Sequence, residues 1–393
     1  MAPAPTWGTT RAIEGCGVPT WIDDHAPAIA RRAVRDLEAL VGISSPSGDI
    51  AGAEEAVAIA AALAPPEAEI ERIPCSTPRH APDLLLRLAG TGTRKLLLLG
   101  HLDTVVSHEQ HRPLEIAGDR LNGSGTIDMK GGVVLSLGLQ RALVERRSEF
   151  AAADLLLVCD EEWRTGPFLH VERFAGYDAC LCFEAGEHDP DGHDAVIVRR
   201  KAAGTLRVRA HGKSAHSGAS PDDGRNALLA LAGAAQAVAA HHAPAGPQRL
   251  TAVPTVLRSG DAFNVVPAAG ELICDLRADA LEAIEAVVGS VPDEVGGARL
   301  EAEILRRWPG MDARASSAPL LARAAERLGR PVIAAERGGA SDASHFAKAI
   351  PQTVDGLGPR GGGAHAPHEF VRASSLETRA AVALAVADAA LAD

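Results

Sequence analysis

The feature that most constrains this chain is a set of short apolar runs, too uniform to alternate and too short to be helices. Lys95-Leu96-Leu97-Leu98-Leu99 is the clearest, and Leu84–Leu88, Asp154–Cys159 and Ala179–Phe183 are similar. A strand without polar alternation is covered on both faces, the situation of an inner strand between layers of helix. Helical spacing in Gly132–Glu145 and Phe168–Phe174, between these runs, supplies such layers and gives the alternating order of a layered α/β domain. Between Ala28 and Leu63 apolar residues also recur at helical spacing, interrupted by the turn Ser44-Ser45-Pro46-Ser47-Gly48, so two helices are expected to open the fold.

Near residue 198 the order changes. Strand Thr205–Ala210, helix Asn226–Ala240, strands Leu250–Val256 and Glu271–Leu276, helix Leu281–Val288 and strand Arg299–Leu305 spell the β-α-β-β-α-β order of a ferredoxin-like module. Helix Leu320–Leu328, helix Ser344–Ala349, strand Gln352–Asp355 and a helix from Ser374 then resume the first pattern. The sequence therefore predicts an α/β domain with a mixed sheet flanked by helices, split between residues 1–198 and 308–393, with residues 199–307 inserted as a second domain.

Composition narrows the partners. The net charge of −12 opposes an electrostatic nucleic-acid or anionic-membrane partner, and only 3% aromatic residues leave little for base stacking. Six cysteines are scattered, and Cys159, Cys180, Cys182 and Cys274 sit in apolar runs, so buried reduced thiols are expected. The first thirty residues lack the continuous apolar segment of a signal peptide, and the Ala-rich runs Ala227–Ala240 and Ala380–Leu391 are too short and interrupted to span a bilayer. A cytoplasmic location is expected.

Five segments place a histidine or carboxylate where a strand ends or a loop begins, the usual site location in open α/β sheets. They are Gly100-His101-Leu102-Asp103, Asp128-Met129-Lys130-Gly131-Gly132, Asp160-Glu161-Glu162, Cys182-Phe183-Glu184 and Gly363-Ala364-His365. Singly each has a bland reading: a turn, a helix cap or a solvated acidic loop. Together, two imidazoles and three or four carboxylates suit a pair of zinc ions sharing one carboxylate, with Co²⁺ or Mn²⁺ as alternatives. Asp103, two residues beyond His101 in extended chain, can orient that imidazole. His368 and Glu369 share the last loop, where spacing favours His365 as the ligand. His108 and His111 read as surface or rim residues.

In this order the motifs resemble the M20 family of metallopeptidases, from about Leu40 to the C-terminus. The resemblance implies two Zn²⁺ per subunit, bridged by Asp128, with His101 and Glu184 on one metal and Glu162 and His365 on the other. It implies Glu161 as general base, Asp103 as the clamp on His101, and a cis peptide after Asp128. The inserted domain then resembles the family's lid, which mediates homodimerisation. His216 in Gly212-Lys213-Ser214-Ala215-His216-Ser217-Gly218 corresponds to the histidine that polarises the scissile carbonyl, in some dimers from the partner subunit. Asn264 and Arg277 correspond to substrate contacts, Arg277 for a carboxylate, while Ser341 in a Gly-rich turn and Lys201 before the lid fall at further substrate positions. The implied reaction is hydrolysis of an amide in an N-acyl amino acid or short peptide with a free carboxylate, of the glutamate carboxypeptidase kind. A deacylase such as acetylornithine deacetylase is the alternative. A metal-loaded binding protein without catalysis is a third reading, weakened by the presence of both Glu161 and His216. One departure stands out: the acidic run continues into bulky Trp163-Arg164, where small residues are common in the family.

Overall fold

The computed structural model describes residues 20–392. Cys16, and most of the segment read for a signal peptide, lie outside the described residues. Arg94–His101, with the apolar run Leu96–Leu99 at its centre, is an inner strand of a six-stranded mixed sheet, with parallel neighbours Phe150–Val158 and Ala179–Cys182 on its two sides. Beyond them lie Asp83–Arg87 and Glu69–Ile73 on one flank and Gln352–Val354 on the other. Both faces are covered, as the lack of alternation requires. Leu96 and Leu98 point into a cluster with helices Trp21–Val41, Gly131–Leu143 and Ala373–Leu391, while Leu97 and Leu99 point into a second with Phe168, Phe174 and Phe346. At about 25 cal/mol per Å² of apolar surface, each of these buried leucines contributes roughly 1.5–3 kcal/mol.

Residues 202–308 form a second, antiparallel sheet. Its order is Thr251–Ser259, Ala269–Ala278, Ala202–His211, Ala298–Trp308 and the short Glu294–Val295. Helices Ala227–Ala239 and Leu281–Val288 cover one face over a core of Leu206, Val208, Leu231, Leu272, Leu276 and Ile284. The opposite face, turned away from these two helices, carries Thr205, Arg207, Asp275, Arg277, Glu303 and Arg306. A third sheet places Asp194–Arg200 between Met311–Asp312 and Ile333–Arg337. Among the described residues no helix is long and apolar enough to cross a membrane.

Two predicted helices shrink to one turn. Of Phe168–Phe174 only Val171–Phe174 is helical, because the preceding residues are tied to distant partners: Leu169 N–H donates to Ser76 Oγ at 3.1 Å and His170 Nε2 meets Asp83 at 2.8 Å. Ser344–Ala349 is likewise reduced to Ala343–Phe346. The strands Glu69–Ile73, Asp194–Arg200 and Ile333–Arg337, and a small sheet formed by Glu115–Ala117, Arg120–Asn122, Gly361–Gly362 and Phe370–Arg372, were not foreseen.

Candidate metal centre

The strand Arg94–His101 ends at the centre of the sheet, so its last side chain emerges where flanking strands also deliver theirs. His101 is buried. Its Nδ1 lies 3.0 Å from the Asp103 carbonyl and 3.4 Å from Asp103 Oδ1, while Nε2 lies 3.1 Å from Asp128 Oδ1 and 3.8 Å from Glu184 Oε1. A carbonyl only accepts, so Nδ1 is the donor, and in the neutral ring Nε2 keeps the lone pair that a metal needs. The Asp103 carboxylate does more than face His101. It also accepts the backbone N–H groups of Glu161 and Glu162, at 3.1 Å each, and the Ser47 hydroxyl at 3.1 Å. It therefore positions the acidic loop together with the imidazole.

Asp128 occupies a turn entered through Gly125, which has φ 72°, and is followed by a cis peptide to Met129 as the resemblance implied. Two glycines then start the helix. A Cβ on Gly132 would come 1.8 Å from the Phe183 carbonyl oxygen, and one on Gly131 would come 2.4 Å from the Thr126 carbonyl oxygen. The helix start thus packs directly on the strand that delivers Glu184. Asp128 presents its two oxygens in two directions: Oδ1 to His101 and Oδ2 to His365 Nε2, at 3.0 Å.

The turn has an anchor that sequence reasoning missed. Glu369, weighed only as a competing ligand, is buried and accepts the N–H groups of Gly125 at 2.8 Å, Ile127 at 2.8 Å and Asp128 at 3.0 Å. Its position four residues after His365, opposite a Gly-rich turn with free N–H groups, was the available signal. His365 has φ 62°, the left-handed region that favours glycine, and about half of its side chain is exposed.

The ligand atoms of His101, Asp128 and Glu184 lie within 4.8 Å of one another, as do those of Asp128, Glu162 and His365. Glu162 Oε1 is 3.3 Å from His365 Nε2, yet it is buried without an aligned hydrogen bond. Electrostatics tell the same story. Burial holds Glu184 well above and Glu162 above the usual carboxylate range, with the neighbouring Asp128 charge adding to both. Burial pushes Glu161 up to about 8, opposed by the charge of His101. For Asp128, hydrogen bonds from both histidines overcome burial and lower its pKa. The same bonds, with Glu162, raise His365 to about 10. The orphaned carboxylate oxygen and the excess of acids fit a pair of divalent cations.

Other predicted site residues are placed elsewhere. Asp160 turns away to Thr77 and the buried Arg164, which also binds Asp342, so of the bulky continuation Arg164 folds inward as an ion pair while Trp163 stays exposed. His216 and Asn264 are neighbours in the second sheet unit, linked by a bridge between His216 and Val265 and by Ser217 N–H to the Asn264 carbonyl at 3.0 Å. His216 Nδ1 accepts the Gly218 and Ala219 N–H groups at 3.1 Å each, and among the described residues no hydrogen bond or ion pair joins His216 or Asn264 to the Asp128 cluster. Arg277 is paired with Asp275 in its own strand. Lys201 Nζ donates to the Arg249 carbonyl at 2.5 Å, and buried Ser341 directs its hydroxyl to Asp355 at 2.5 Å. All five described cysteines are buried and free. A cavity of about 370 Å³ opens beside His365, lined in part by Val105, Val106, His111 and Arg112, which puts His111 at its rim.

The chain is 26% identical to carboxypeptidase G2 of Pseudomonas sp. (strain RS-16) over 91% of its own length and 88% of that protein. It is 29% identical to a succinyl-diaminopimelate desuccinylase of Methylorubrum extorquens over 53% of this chain and 58% of that protein. Among solved structures, the aminopeptidase PepT of Bacillus cereus matches 92% of this chain and 98% of its own, at 21% identity and a TM-score of 0.74. A dinuclear metal-binding M20 peptidase of Bacillus subtilis matches 92% of this chain and 99% of its own, at 16% identity and a TM-score of 0.65. The model of peptidase family M20/M25/M40 matches residues 97–389, which include all five residues around the Asp128 turn. The chain belongs to this family of metallopeptidases and amidohydrolases.

Proposed function

We propose that the protein is a di-zinc hydrolase that cleaves an amide bond in an N-acyl amino acid or short peptide with a free carboxylate, in the manner of a carboxypeptidase. The observation that carries this reading is the two-sided Asp128, whose oxygens face His101 and His365 at 3.1 and 3.0 Å while Glu161 stands beside them. His101 and Glu184 would hold one ion, Glu162 and His365 the other, and Asp128 both. This N/O donor set suits Zn²⁺, with Co²⁺ or Mn²⁺ as substitutes. When bound, the two ions would bring a shared water towards ionisation at neutral pH and polarise the scissile carbonyl.

Glu161 is the base. Its buried carboxyl, with a pKa of about 8 in the metal-free chain, is suited to take a proton from the attacking water and return it to the leaving amine. Asp103 holds that loop through the N–H groups of Glu161 and Glu162. In the second domain, residues 199–307, His216 would present an Nε2–H donor to the developing oxyanion, because its Nδ1 already accepts two backbone N–H groups. Asn264, beside it, would share that role. In this reading residues 199–307 act as a lid and join two subunits. The outer Thr251–Ser259 strand, with exposed Val253 and Leu257, supports pairing between copies. Arg277 would contribute to carboxylate binding, whereas Lys201 and Ser341 would need to leave Arg249 and Asp355 to reach substrate.

A deacylase acting on a small acyl group is the second reading, supported by the similarity to the desuccinylase. A screen of N-acyl amino acids and dipeptides, before and after chelation and with Zn²⁺ restored, tests both. Hydrolysis that is lost on chelation and regained with Zn²⁺ is expected. Hydrolysis that survives complete metal removal would overturn the di-metal reading.

A further inference from the structure

The main chain of Glu161 is held from two sides. Its N–H donates to Asp103 at 3.1 Å, and its carbonyl accepts from Arg306, in the last strand of the second domain, at a long 3.4 Å. Three residues on stands Arg164, which turns inward and has no exposed side-chain surface. It pairs with Asp160 at 2.6 Å and with Asp342. Its guanidinium carbon also lies 4.5 Å from the centre of the Phe168 ring and 4.6 Å from that of Trp308. Arg306 approaches the same Trp308 ring, at 4.1 Å. Two cations, one from each domain, thus share one indole, whose π-cloud attracts both where water is excluded.

Trp308 stands where the chain passes between the two domains. It ends the strand Ala298–Trp308 and pairs with Ala203 at the start of Ala202–His211, so both crossings lie beside it. The indole is 1% exposed, its Nε1–H donates to the Ser341 carbonyl at 2.9 Å, and the His345 ring packs against it at 4.8 Å. The crossing is tightly packed: a Cβ on Gly310 would come 2.3 Å from the Asp279 carbonyl oxygen. Buried Arg379, by contrast, pairs with Asp194 and bonds no residue of the 160–164 loop among the described residues.

We propose that Arg164 and Trp308 are positioning residues for Glu161: together they clamp the 160–164 loop to the domain junction and so fix where the base carboxyl stands. The inference rests on the reading of Glu161 as base and goes beyond it. Among the described residues no hydrogen bond or ion pair reaches the Glu161 carboxyl, so its place is set through its main chain. A base held in that way depends on whatever anchors its loop. Asp103 anchors the peptide of Glu161 from the ligand side. Arg164 anchors the far end through Asp160 and Asp342, and Trp308 ties that anchor to the last strand of the second domain. A shift of that domain would reach Glu161 through one guanidinium and one ring, and a misplacement of about 1 Å can cost about 100-fold in rate.

The test reads kinetics and hydrogen exchange separately, both on the zinc-loaded enzyme. Trp308→Leu should lower kcat by about 10–100-fold, with KM within about threefold and zinc content unchanged, as a misplaced base requires. Trp308→Phe, which keeps a ring face, should recover most of that loss. Arg164→Lys, which keeps the charge but not the planar fork, should lose about tenfold in kcat. In the double variant Arg164→Lys with Trp308→Leu, the combined loss should fall short of the product by about fivefold or more, because both act on one loop. Hydrogen exchange in Trp308→Leu should quicken by about tenfold or more at the amides of residues 160–164 and stay as in wild type at residues 125–130. Phe174→Leu, in the same buried cluster as Phe168, controls for lost packing: it should lower the melting temperature and leave kcat within about twofold. If Trp308→Leu does not fold, Arg164→Lys carries both readouts. If no amide substrate is hydrolysed, the base reading falls, but exchange still decides whether Trp308 holds the loop. Unchanged kcat in folded Trp308→Leu, a loss confined to KM or zinc, independent losses in the double variant, or unchanged exchange at residues 160–164 each overturns the assignment.

Discussion

Two aspartates, Asp194 buried and Asp128 partly so, organise charge in this protein in opposite ways. Asp194, at the start of a strand, is surrounded by three guanidinium groups: its Oδ1 is 2.8 Å from Arg360 and 3.1 Å from Arg379, and Oδ2 meets Arg330. Asp128 is surrounded by imidazoles and further carboxylates, and one oxygen of its neighbour Glu162 has no hydrogen bond. The first cluster is complete with protein atoms alone. The second is short of positive charge. Burial of charge is therefore not itself a sign of function; what marks the site is charge that the chain leaves unbalanced.

The sharpest way to break this comparison is to strip metal from the enzyme. A strong chelator should abolish hydrolysis and leave the Asp194 cluster, and hence the far-ultraviolet circular dichroism, intact; Zn²⁺ should restore turnover. Next, Glu161→Gln should lower kcat by about 10²–10⁴-fold with the metal content unchanged, since the base is not a ligand in the proposed arrangement. An active Glu161→Gln enzyme would remove the base assignment. On the other cluster, Asp194→Asn should cost about 3–5 kcal/mol in denaturant unfolding, because it strands buried Arg379. Glu369→Gln should weaken metal retention in a chelator competition by about 10–100-fold, as its carboxylate holds three N–H groups of the Asp128 turn. The smallest effect belongs to the partly exposed pair Arg207–Glu303, whose removal should change stability by less than about 1 kcal/mol.

Acidity separates the clusters by sign. The guanidinium groups hold the Asp194 carboxyl below its usual value against burial, so its stabilisation is present above about pH 4 and lost as pH falls through the folded-state value. In the metal-free chain Glu161 at about 8 and His365 at about 10 are both raised, so the folded state binds more protons than the unfolded one across that range. The metal-free protein should lose stability as pH rises from about 4.5 towards 10, and zinc should flatten that slope. Melting temperatures measured across pH with and without Zn²⁺ check both halves; a slope that zinc leaves unchanged would disconnect the Asp128 cluster from metal binding.

Much of this arrangement could be read from the chain because strand ends carry it. His101, Glu162 and Glu184 each follow an apolar run, and a run covered on both faces fixes where its end emerges. Strands with weaker patterns escaped. Glu69–Ile73 is an edge strand with mostly exposed side chains, and Asp194–Arg200 pairs mainly through Ile333–Arg337, more than 130 positions away, which no local pattern reports. The same distance hid Glu369. Glu369 acts on amides 241–244 residues away. A residue whose role is to meet remote backbone carries no periodic signature of its own.

The two glycines at the start of the Gly131–Leu143 helix also set a boundary on how this protein can change. With the Phe183 carbonyl 1.8 Å from where a Gly132 Cβ would stand, even alanine would have to move either the helix or the strand that ends at Glu184. Since that helix carries Asp128 at its threshold, such a shift would alter the spacing of the ligands themselves. Position 132 is thus an adjustment point with a single setting, and variation around the Asp128 cluster is left to the surrounding loops.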